Sequence, residues 1–241
     1  MKLRNSFFSL QALALAALLG SASAAQAEMT FYSSQASFQA AISAPVVDRF
    51  DDLFWAQGPG SLYREPGAGY GYVVNALKFD GSDYSSFYNA GSDADVWLST
   101  DQATDVISFD FNYTDKVYGV GGFFFGTDAM GVFQPGQSIK LNALDADGVE
   151  QVVFIDNAQP GTFYGFASTS QIRYFEISAV QPTGGLTWVA ANDLVLGTVA
   201  AVPEPSSGAL LLGGLGLLGC GAARRSTKAK PRAENPRNPQ N

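Results

Sequence analysis

The sequence predicts an all-β fold: an antiparallel β-sandwich of jelly-roll type, with an N-terminal signal helix and a C-terminal single transmembrane helix. Three observations support this prediction. Apolar and polar side chains alternate with a period of two, turn signals recur at roughly the 8-to-12-residue spacing of sandwich proteins, and no amphipathic helices lie between the strands as crossovers. Apolar segments at the two ends stand apart from this pattern.

Residues 1–27 have the three parts of a secretory signal peptide. Lys2 and Arg4 form a basic start, residues 7–19 form an apolar run, and residues 25–27 read Ala-Gln-Ala, a small-residue cleavage site. We therefore expect export through the Sec machinery and removal by signal peptidase. An uncleaved membrane anchor is the alternative, although the apolar run is short for a membrane span.

Residues 28–201 form the expected β-sandwich domain. A helix is predicted at residues 35–42, where Ser34 can cap the N-terminus. A hairpin is predicted at residues 139–155, because two alternating segments flank the turn at residues 145–148. The alternation predicts strands at residues 71–79, 95–99, 106–113, 117–125, 139–143, 151–155, 162–166, 172–178 and 188–196.

In the strand predicted at 106–113, every second side chain is apolar, which indicates that one face of the strand is buried. The side chains expected to point into the core are those of Ile107, Phe109, Phe111 and Tyr113.

The net charge of the exported domain limits the kinds of molecule that it can bind. Residues 28–201 carry 20 acidic and 6 basic side chains, a net charge of −14. Such a domain repels nucleic acid and anionic lipid, and it favours cations or neutral glycans. Alternatively, the charge only keeps an exported domain in solution.

Histidine and cysteine usage excludes several chemistries. The sequence has no histidine, which removes Ser-His-Asp and Cys-His nucleophiles and imidazole metal sites. Its only cysteine, Cys220, lies outside the exported domain, so that domain has no disulfide and depends on a buried core. A pair of carboxylates acting as a glycosidase remains open, although the domain has only four glutamates, Glu28, Glu65, Glu150 and Glu176. We predict that the protein is not an enzyme.

Acidic side chains provide candidate calcium ligands, and no other cofactor is expected. Asp51, Asp52 and Asp193 are placed near the starts of the presumed first and last strands, which commonly lie side by side in jelly rolls. Their oxygens are therefore candidate ligands for Ca²⁺, and the alternative is solvated carboxylates at strand ends. Asp145 and Asp147 precede a glycine as in a calcium loop, but a hairpin turn explains them better.

Aromatic side chains in the Gly/Ser/Asn-rich stretch 54–89 are candidates for stacking on sugar rings. Trp55 and Tyr63 are the candidates for glycan binding, and the alternative for each is packing in the core or in a loop. The stretch also contains Tyr70, Tyr72, Tyr84 and Tyr88.

The C-terminal region has three parts. Pro203, Glu204 and Pro205 form an extended segment, residues 206–223 form an apolar run rich in glycine, and Arg224 and Arg225 follow. Eighteen helical residues span roughly 27 Å, near the minimum for a hydrocarbon core. A buried helix of a globular domain is the alternative.

The order of these parts resembles the PEP-CTERM sorting signal of Gram-negative bacterial surface proteins. The resemblance implies that residues 202–225 are recognised by exosortase, a membrane-embedded enzyme similar to a cysteine transpeptidase. Pro203, Glu204 and Pro205 would be the recognition motif, residues 206–223 a transient inner-membrane anchor, and Arg224 and Arg225 the stop. Residues 226–241 depart from the pattern as a polar tail, expected to be cytoplasmic.

The exported domain looks like the lectin-like or carbohydrate-binding-module-like domains found ahead of this signal. The resemblance rests on residues 47–51, on 165–168 with Ile172 and Ile177, and on 188–194. It implies a cell-surface or extracellular-matrix protein that binds exopolysaccharide. A calcium-stabilised adhesive matrix protein without a sugar site, and a carboxylate-based glycan-degrading enzyme, are the alternatives.

Overall fold

The computed structural model describes residues 28–53, 57–81, 83–92 and 95–199. The expected signal peptide, sorting signal, membrane helix 206–223 and tail 226–241 lie outside the described residues. No helix among the described residues is long and apolar enough to cross a membrane. The described helix, α1 (Gln35–Ala41), begins where the sequence predicts, because the Ser34 hydroxyl accepts a hydrogen bond from the Ser37 amide at 3.5 Å.

The prediction of an all-β antiparallel sandwich is confirmed. Burial alternates along β9 and β4, as the period-two pattern requires, so one row of side chains enters the core and the other faces outward. The strands are β1 (Met29–Tyr32), β2 (Ile42–Asp48), β3 (Ser61–Arg64), β4 (Tyr72–Leu77), β5 (Phe87–Ser92), β6 (Asp95–Thr100), β7 (Val106–Asp110), β8 (Gly119–Thr127), β9 (Ser138–Asp145), β10 (Glu150–Ile155), β11 (Phe163–Ser168), β12 (Ile172–Val180) and β13 (Trp188–Val199).

These strands form two sheets. The seven-stranded sheet has the order β1-β11-β8-β13-β6-β5, with β2 also paired to β13, and the six-stranded sheet has the order β10-β9-β12-β7-β4-β3. The predicted hairpin is present as β9 and β10, with Leu144 opposite Glu150 and Ile139 opposite Ile155. The pairs between described strands are antiparallel throughout both sheets.

Aromatic rings in contact with one another fill the space between the sheets. Phe175 of β12 is at the centre of this core, and its ring lies 5.8 Å from that of Phe109 in the same sheet. Across the sandwich, its ring centroid lies 5.2 Å from that of Phe124 and 5.9 Å from that of Phe166. All four side chains are fully buried, so their contacts replace the disulfide that the domain lacks.

The outer surface of the seven-stranded sheet is covered in two places. Phe38 of α1 and Ile42 lie over glycines of that sheet, and a Cβ added at Gly197 would come within 2.5 Å of Ile42 Cδ1. Farther along, the loop 128–136 folds back so that Phe133 contacts Phe125, with ring centroids 6.0 Å apart. The glycines therefore let the covering elements approach the sheet closely.

Arg64 connects the two sheets at one edge of the sandwich. Its Nε donates to Asp48 Oδ2 at 2.9 Å, and its Nη2 donates to Asp48 Oδ1 at 2.5 Å. Nη1 and Nη2 also donate to the two carboxylate oxygens of Asp52, each at 2.8 Å. Asp48 ends β2 in the seven-stranded sheet and Arg64 ends β3 in the six-stranded sheet, so the forked ion pairs join the layers.

Further contacts complete the hydrogen bonding of this cluster. Asp48, only 3% exposed, also accepts from the Tyr72 hydroxyl at 2.7 Å and from the Phe50 amide at 3.1 Å. The guanidinium lies 5.6 Å from the Phe50 ring centroid, as in a cation–π contact. Burial opposes the charge of Arg64, but the hydrogen bonds to Asp48 and Asp52 outweigh it and raise the pKa of Arg64.

Replacing Arg64 by methionine should destabilise the fold by about 3–5 kcal/mol, because Asp48 would remain buried without its partner. The matched control is Lys78→Met, which removes the exposed ion pair between Lys78 and Asp83 (3.1 Å) and should cost at most about 1 kcal/mol. Denaturant unfolding of both variants measures the difference. Equal losses in the two variants would contradict a structural role for the Arg64 pairs.

Candidate functional site

The outer face of the six-stranded sheet has no described element packed along it, in contrast to the seven-stranded sheet. The strand register places one row of outward positions across it: Tyr63, Val73, Asp110, Tyr174 and Leu144. Tyr63 and Tyr174 are three inter-strand spacings apart, about 14 Å. We call this surface the open face.

A second row on the open face is polar. The register aligns Ser61, Asn75, Ser108, Glu176 and Asn142 across five strands. Ser61 Oγ donates to Asn75 Oδ1 at 2.7 Å, and Ser108 Oγ donates to Glu176 Oε1 at 3.4 Å. Asn142 Oδ1 is buried and has no hydrogen-bond partner among the described residues. Ser108 is itself buried, so the accessible hydroxyl, amide and carboxylate groups of this row belong to Ser61, Asn75, Glu176 and Asn142.

Two tyrosines stand at one end of the open face. The rings of Tyr63 and Tyr113 meet edge to face with centroids 6.4 Å apart, and they are 61% and 62% exposed. An adjoining cavity of about 420 Å³ is lined by Asn112, Tyr113, Thr114, Asp115, Gln171 and Arg173. Aromatic faces beside a polar cavity are the usual composition of a sugar-binding surface.

Hydrogen bonds hold the loop that carries Tyr113. Gln171 Nε2 donates to the carbonyl of Thr114 at 2.5 Å and to that of Phe111 at 3.3 Å. Asp110 Oδ1 accepts from the Asn112 amide at 2.9 Å, an Asx turn that ends β7. The loop is therefore ordered by contacts that do not use its exposed ring.

The predicted glycan-binding residues have different placements. Tyr63 lies on the open face, whereas Trp55 lies outside the described residues. Tyr70 and Tyr72 are buried, so the interpretation of these two as sugar-stacking rings is wrong. Tyr113 was expected in the core, but β7 ends at Asp110 and the ring is exposed.

The predicted calcium ligands are not near strand starts. Asp51 and Asp52 follow the end of β2, and Asp193 lies inside β13, at a bulge where its φ is 49°. β2 and β13 do pair, with Asp48 opposite Leu194, but the Asp52 carboxylate is paired with Arg64. Among the described residues, no three acidic side chains are placed to hold a metal ion.

Burial raises the pKa of Asp193. Arg49 acts in the opposite direction, and the charges of Asp95 and Asp51 add to the rise. Asp95 also accepts a hydrogen bond from Asn192 Nδ2 at 2.9 Å. The acidic neighbours of Asp193 are therefore Asp51 and Asp95, and Asp52 is engaged elsewhere.

The other acidic pair considered for calcium belongs to the β9–β10 turn. Asp145 Oδ1 accepts from the Asp147 amide at 3.0 Å and from the Val149 amide at 2.9 Å. Ser168 Oγ donates to Asp145 Oδ2 at 2.7 Å. The interpretation of this segment as a hairpin turn is confirmed.

Comparison with known sequences identifies the C-terminal region. The family described as PEP-CTERM protein-sorting motif matches residues 201–226, so the chain carries this motif. The match includes Pro203, Glu204, Pro205, Arg224 and Arg225, all outside the described residues. No curated protein matches the sequence.

Comparison with solved structures finds carbohydrate-binding modules. The CBM22-1-CBM22-2 tandem of Paenibacillus barcinonensis Xyn10C matches 70% of this chain with 12% identity and a TM-score of 0.34, and the match spans half (50%) of the tandem. The CBM22-1 xylan-binding domain of the same protein matches 67% of this chain and 98% of its own length, with 12% identity and a TM-score of 0.32. The CBM22-1-GH10 modules of Clostridium thermocellum Xyn10B, complexed with xylohexaose, match 67% of this chain and 30% of theirs, with 11% identity and a TM-score of 0.31. At these scores the ligands of those modules say nothing about the ligand of this chain.

Proposed function

We propose that the protein is an exported, non-catalytic surface or matrix protein that binds exopolysaccharide on its open face. The observation that carries this proposal is the exposed Tyr63–Tyr113 pair at one end of the open face, beside the row of polar side chains that begins at Ser61. Sugar rings have apolar C–H faces and polar edges, so an aromatic platform beside hydrogen-bonding groups matches both. The net charge of −14 favours a neutral glycan over a polyanion.

A jelly-roll topology is part of this proposal, and the strand order supports it. From β6 to β13 the chain places β6, β8, β11 and β13 in one sheet and β7, β9, β10 and β12 in the other. The orders β6-β13-β8-β11 and β7-β12-β9-β10 then follow the pairings of an eight-stranded roll. Strands β1 to β5 extend the two sheets beyond these eight.

We also propose that the protein is not an enzyme, because of the residue types that it has and lacks. Without histidine, a hydrolase would have to use carboxylates, as a glycosidase does. On the open face, Glu176 accepts a hydrogen bond from Ser108, and Asp110 caps the Tyr113 loop. The Glu176 carboxylate therefore binds within the sheet, and the Asp110 carboxylate holds the loop.

The route to the surface follows from the two ends of the chain. The PEP-CTERM motif implies an exported protein handled by exosortase. We propose that the signal peptide 1–27 directs export of the domain 28–201 through the Sec machinery. Within the sorting signal 202–225, the segment 206–223 then anchors the protein transiently in the inner membrane. Processing finally delivers the domain to the cell surface or the medium. The tail 226–241 would stay cytoplasmic until then.

Calcium binding beside Asp193 is a second proposal. One observation favours it: burial raises the pKa of Asp193 and the charges of Asp95 and Asp51 add to the rise, so a bound cation would relieve their repulsion. Because no three acidic side chains among the described residues are placed to hold a metal ion, water would have to complete the ligands of this cation. A protein that used calcium in this way would be a calcium-stabilised adhesive matrix protein, with or without a sugar site.

The double variant Tyr63→Ala/Tyr113→Ala should lose retention on the organism's own exopolysaccharide. Two aromatic contacts are worth about 1–3 kcal/mol, so binding should weaken roughly tenfold to a hundredfold in affinity electrophoresis. The melting temperature should stay nearly unchanged, because both rings are exposed. Met130→Ala, an exposed apolar change in the loop 128–136, is the control and should bind normally. Unchanged retention of the double variant would contradict the proposed site.

Calcium should raise the melting temperature of residues 28–201 relative to chelator, with a stabilisation of about 2.7 kcal/mol at a hundredfold excess over Kd. Asp193→Asn should remove the effect, whereas Asp147→Asn, in the β9–β10 turn, should retain it. Identical melting in calcium and in chelator would overturn this proposal and leave the glycan proposal untouched.

Replacing Pro203, Glu204 and Pro205 together with alanine should block processing, because the enzyme would lose its extended recognition segment. The apolar segment would still insert, so the unprocessed protein should accumulate in the inner membrane. Mass spectrometry of the mature wild-type C-terminus provides the measurement. Cleavage near Pro205 is expected, and a surface form that still ends at Asn241 would rule out exosortase processing.

A further inference from the structure

A second cavity lies at the opposite end of β7 from the tyrosine pair. It has a volume of about 360 Å³ and opens between the β4–β5 connection and the β6–β7 connection. Its lining residues are Lys78, Phe79, Asp80, Ser85, Gln102, Thr104 and Asp105. This cavity plays no part in the proposed function, so its role is a separate question.

Asp105 is the unusual group in this cavity. Asp105 lines the space, yet its side chain is only 2% exposed, and its Oδ2 accepts no hydrogen bond among the described residues. Burial raises the pKa of Asp105 and the charge of Asp101 adds to the rise, while the Ser85 hydroxyl, the Gln102 backbone and the charge of Lys78 act in the opposite direction. A buried acceptor without a donor is costly, so native proteins rarely retain one unless a partner supplies the donor.

The charge around the cavity is negative. Lys78 is the one cation in the lining, and its Nζ is paired with Asp83 Oδ2 at 3.1 Å. Acidic side chains in and next to the lining are Asp80, Asp83, Asp101 and Asp105. An anionic ligand would be repelled, whereas a ligand that brings positive charge would offset both the net charge and the burial of Asp105.

An aromatic ring stands at the rim. Phe79 is 80% exposed, which is uncommon for a phenylalanine that a fold could otherwise bury. Its ring is available for a cation–π contact with a ligand in the cavity.

The two connections are held in place before any ligand arrives. In the first, the Lys78 amide donates to the Asp83 carbonyl at 3.1 Å and the Gly81 amide donates to the Lys78 carbonyl at 2.7 Å. In the second, the Asp105 amide donates to the Gln102 carbonyl at 3.1 Å. Binding would therefore require little ordering of the backbone.

We propose that this cavity binds the protonated primary amine of a small organic ligand. The ammonium group donates one hydrogen bond to Asp105 Oδ2, and the hydroxyl and amide oxygens of Ser85, Thr104 and Gln102 are the acceptors available to the remaining protons. Phe79 covers the carbon skeleton at the rim.

The test is an NMR titration of the ¹⁵N-labelled full-length chain with glucosamine hydrochloride and, separately, with glucose, which has the same ring without the charge. Glucosamine should shift the amides of residues 78–85 and 101–105, whereas any shifts at 112–115 report the proposed glycan site and should be alike for the two sugars. Glucose should bind at least about tenfold more weakly, since a charge-assisted hydrogen bond is lost.

Three variants sharpen the result. Asp105→Asn should weaken glucosamine binding at least about tenfold, and Phe79→Ala should weaken it severalfold without affecting folding. Asp115→Asn, which makes the same charge change in the other cavity, should bind as the wild type does. Equal binding of glucose and glucosamine, full binding by Asp105→Asn, or no shifts at millimolar glucosamine would each overturn the proposal. Because the open face is not involved, these outcomes leave exopolysaccharide binding unaffected.

Discussion

The Arg64 guanidinium carries one positive charge between the buried carboxylate of Asp48 and the exposed carboxylate of Asp52, and burial requires that Arg64 and Asp48 be hydrogen-bonded. The cluster lies where β2 of one sheet meets β3 and β4 of the other, so it determines how the two layers are aligned at that edge. The aromatic core around Phe175 supplies attraction between the layers but little direction, because ring contacts tolerate many offsets. Paired forks of hydrogen bonds supply the direction. A domain without disulfides thus obtains its precise layer alignment from an ion-pair cluster.

The outer surfaces of the two sheets differ in whether other elements cover them. Glycines in β8, β11 and β13 let Phe38 and Ile42 lie directly on the seven-stranded sheet, so that surface becomes a second, smaller core. The six-stranded sheet has large outward side chains instead, such as those of Tyr63 and Tyr174. The seven-stranded sheet has small outward residues and is covered, whereas the six-stranded sheet has large outward residues and stays uncovered. The size of the outward residues therefore determines which surface remains free for a ligand.

The sequence predicted nine of the described strands and missed β1, β2, β3 and β5. β9 and β10 were predicted because eight and six residues of regular alternation flank a turn. β2 was missed because Pro45 and the positive φ of Ala44 interrupt the pattern, and β5 was missed because Gly91 adopts a φ of 97° near its end. Both strands are stabilised by their neighbours in the sheet, which a single sequence does not reveal.

The candidate sites, too, could be predicted only in part from the sequence. Tyr63 could be identified from sequence as an aromatic residue in the Gly/Ser/Asn-rich stretch 54–89, but the exposure of Tyr113 depends on the Asx turn at Asp110 that ends β7 early. Nothing near Asp105 in the sequence indicates burial, since it is Gln102 and the packing of two connections that enclose it.

The last strand has a mechanical consequence. β13 has twelve residues and is flanked by β8 on one side and, in succession, by β6 and β2 on the other. The sorting motif begins at residue 201, two positions after the strand ends at Val199. A force that pulls the C-terminus along the axis of β13 acts in line with the strand. It therefore loads the ladder hydrogen bonds on both sides of β13 in shear and at the same time. A strand at an edge would be held by one ladder instead of two under the same force, so a domain pulled by its C-terminus resists extraction best with a central, long strand at that position.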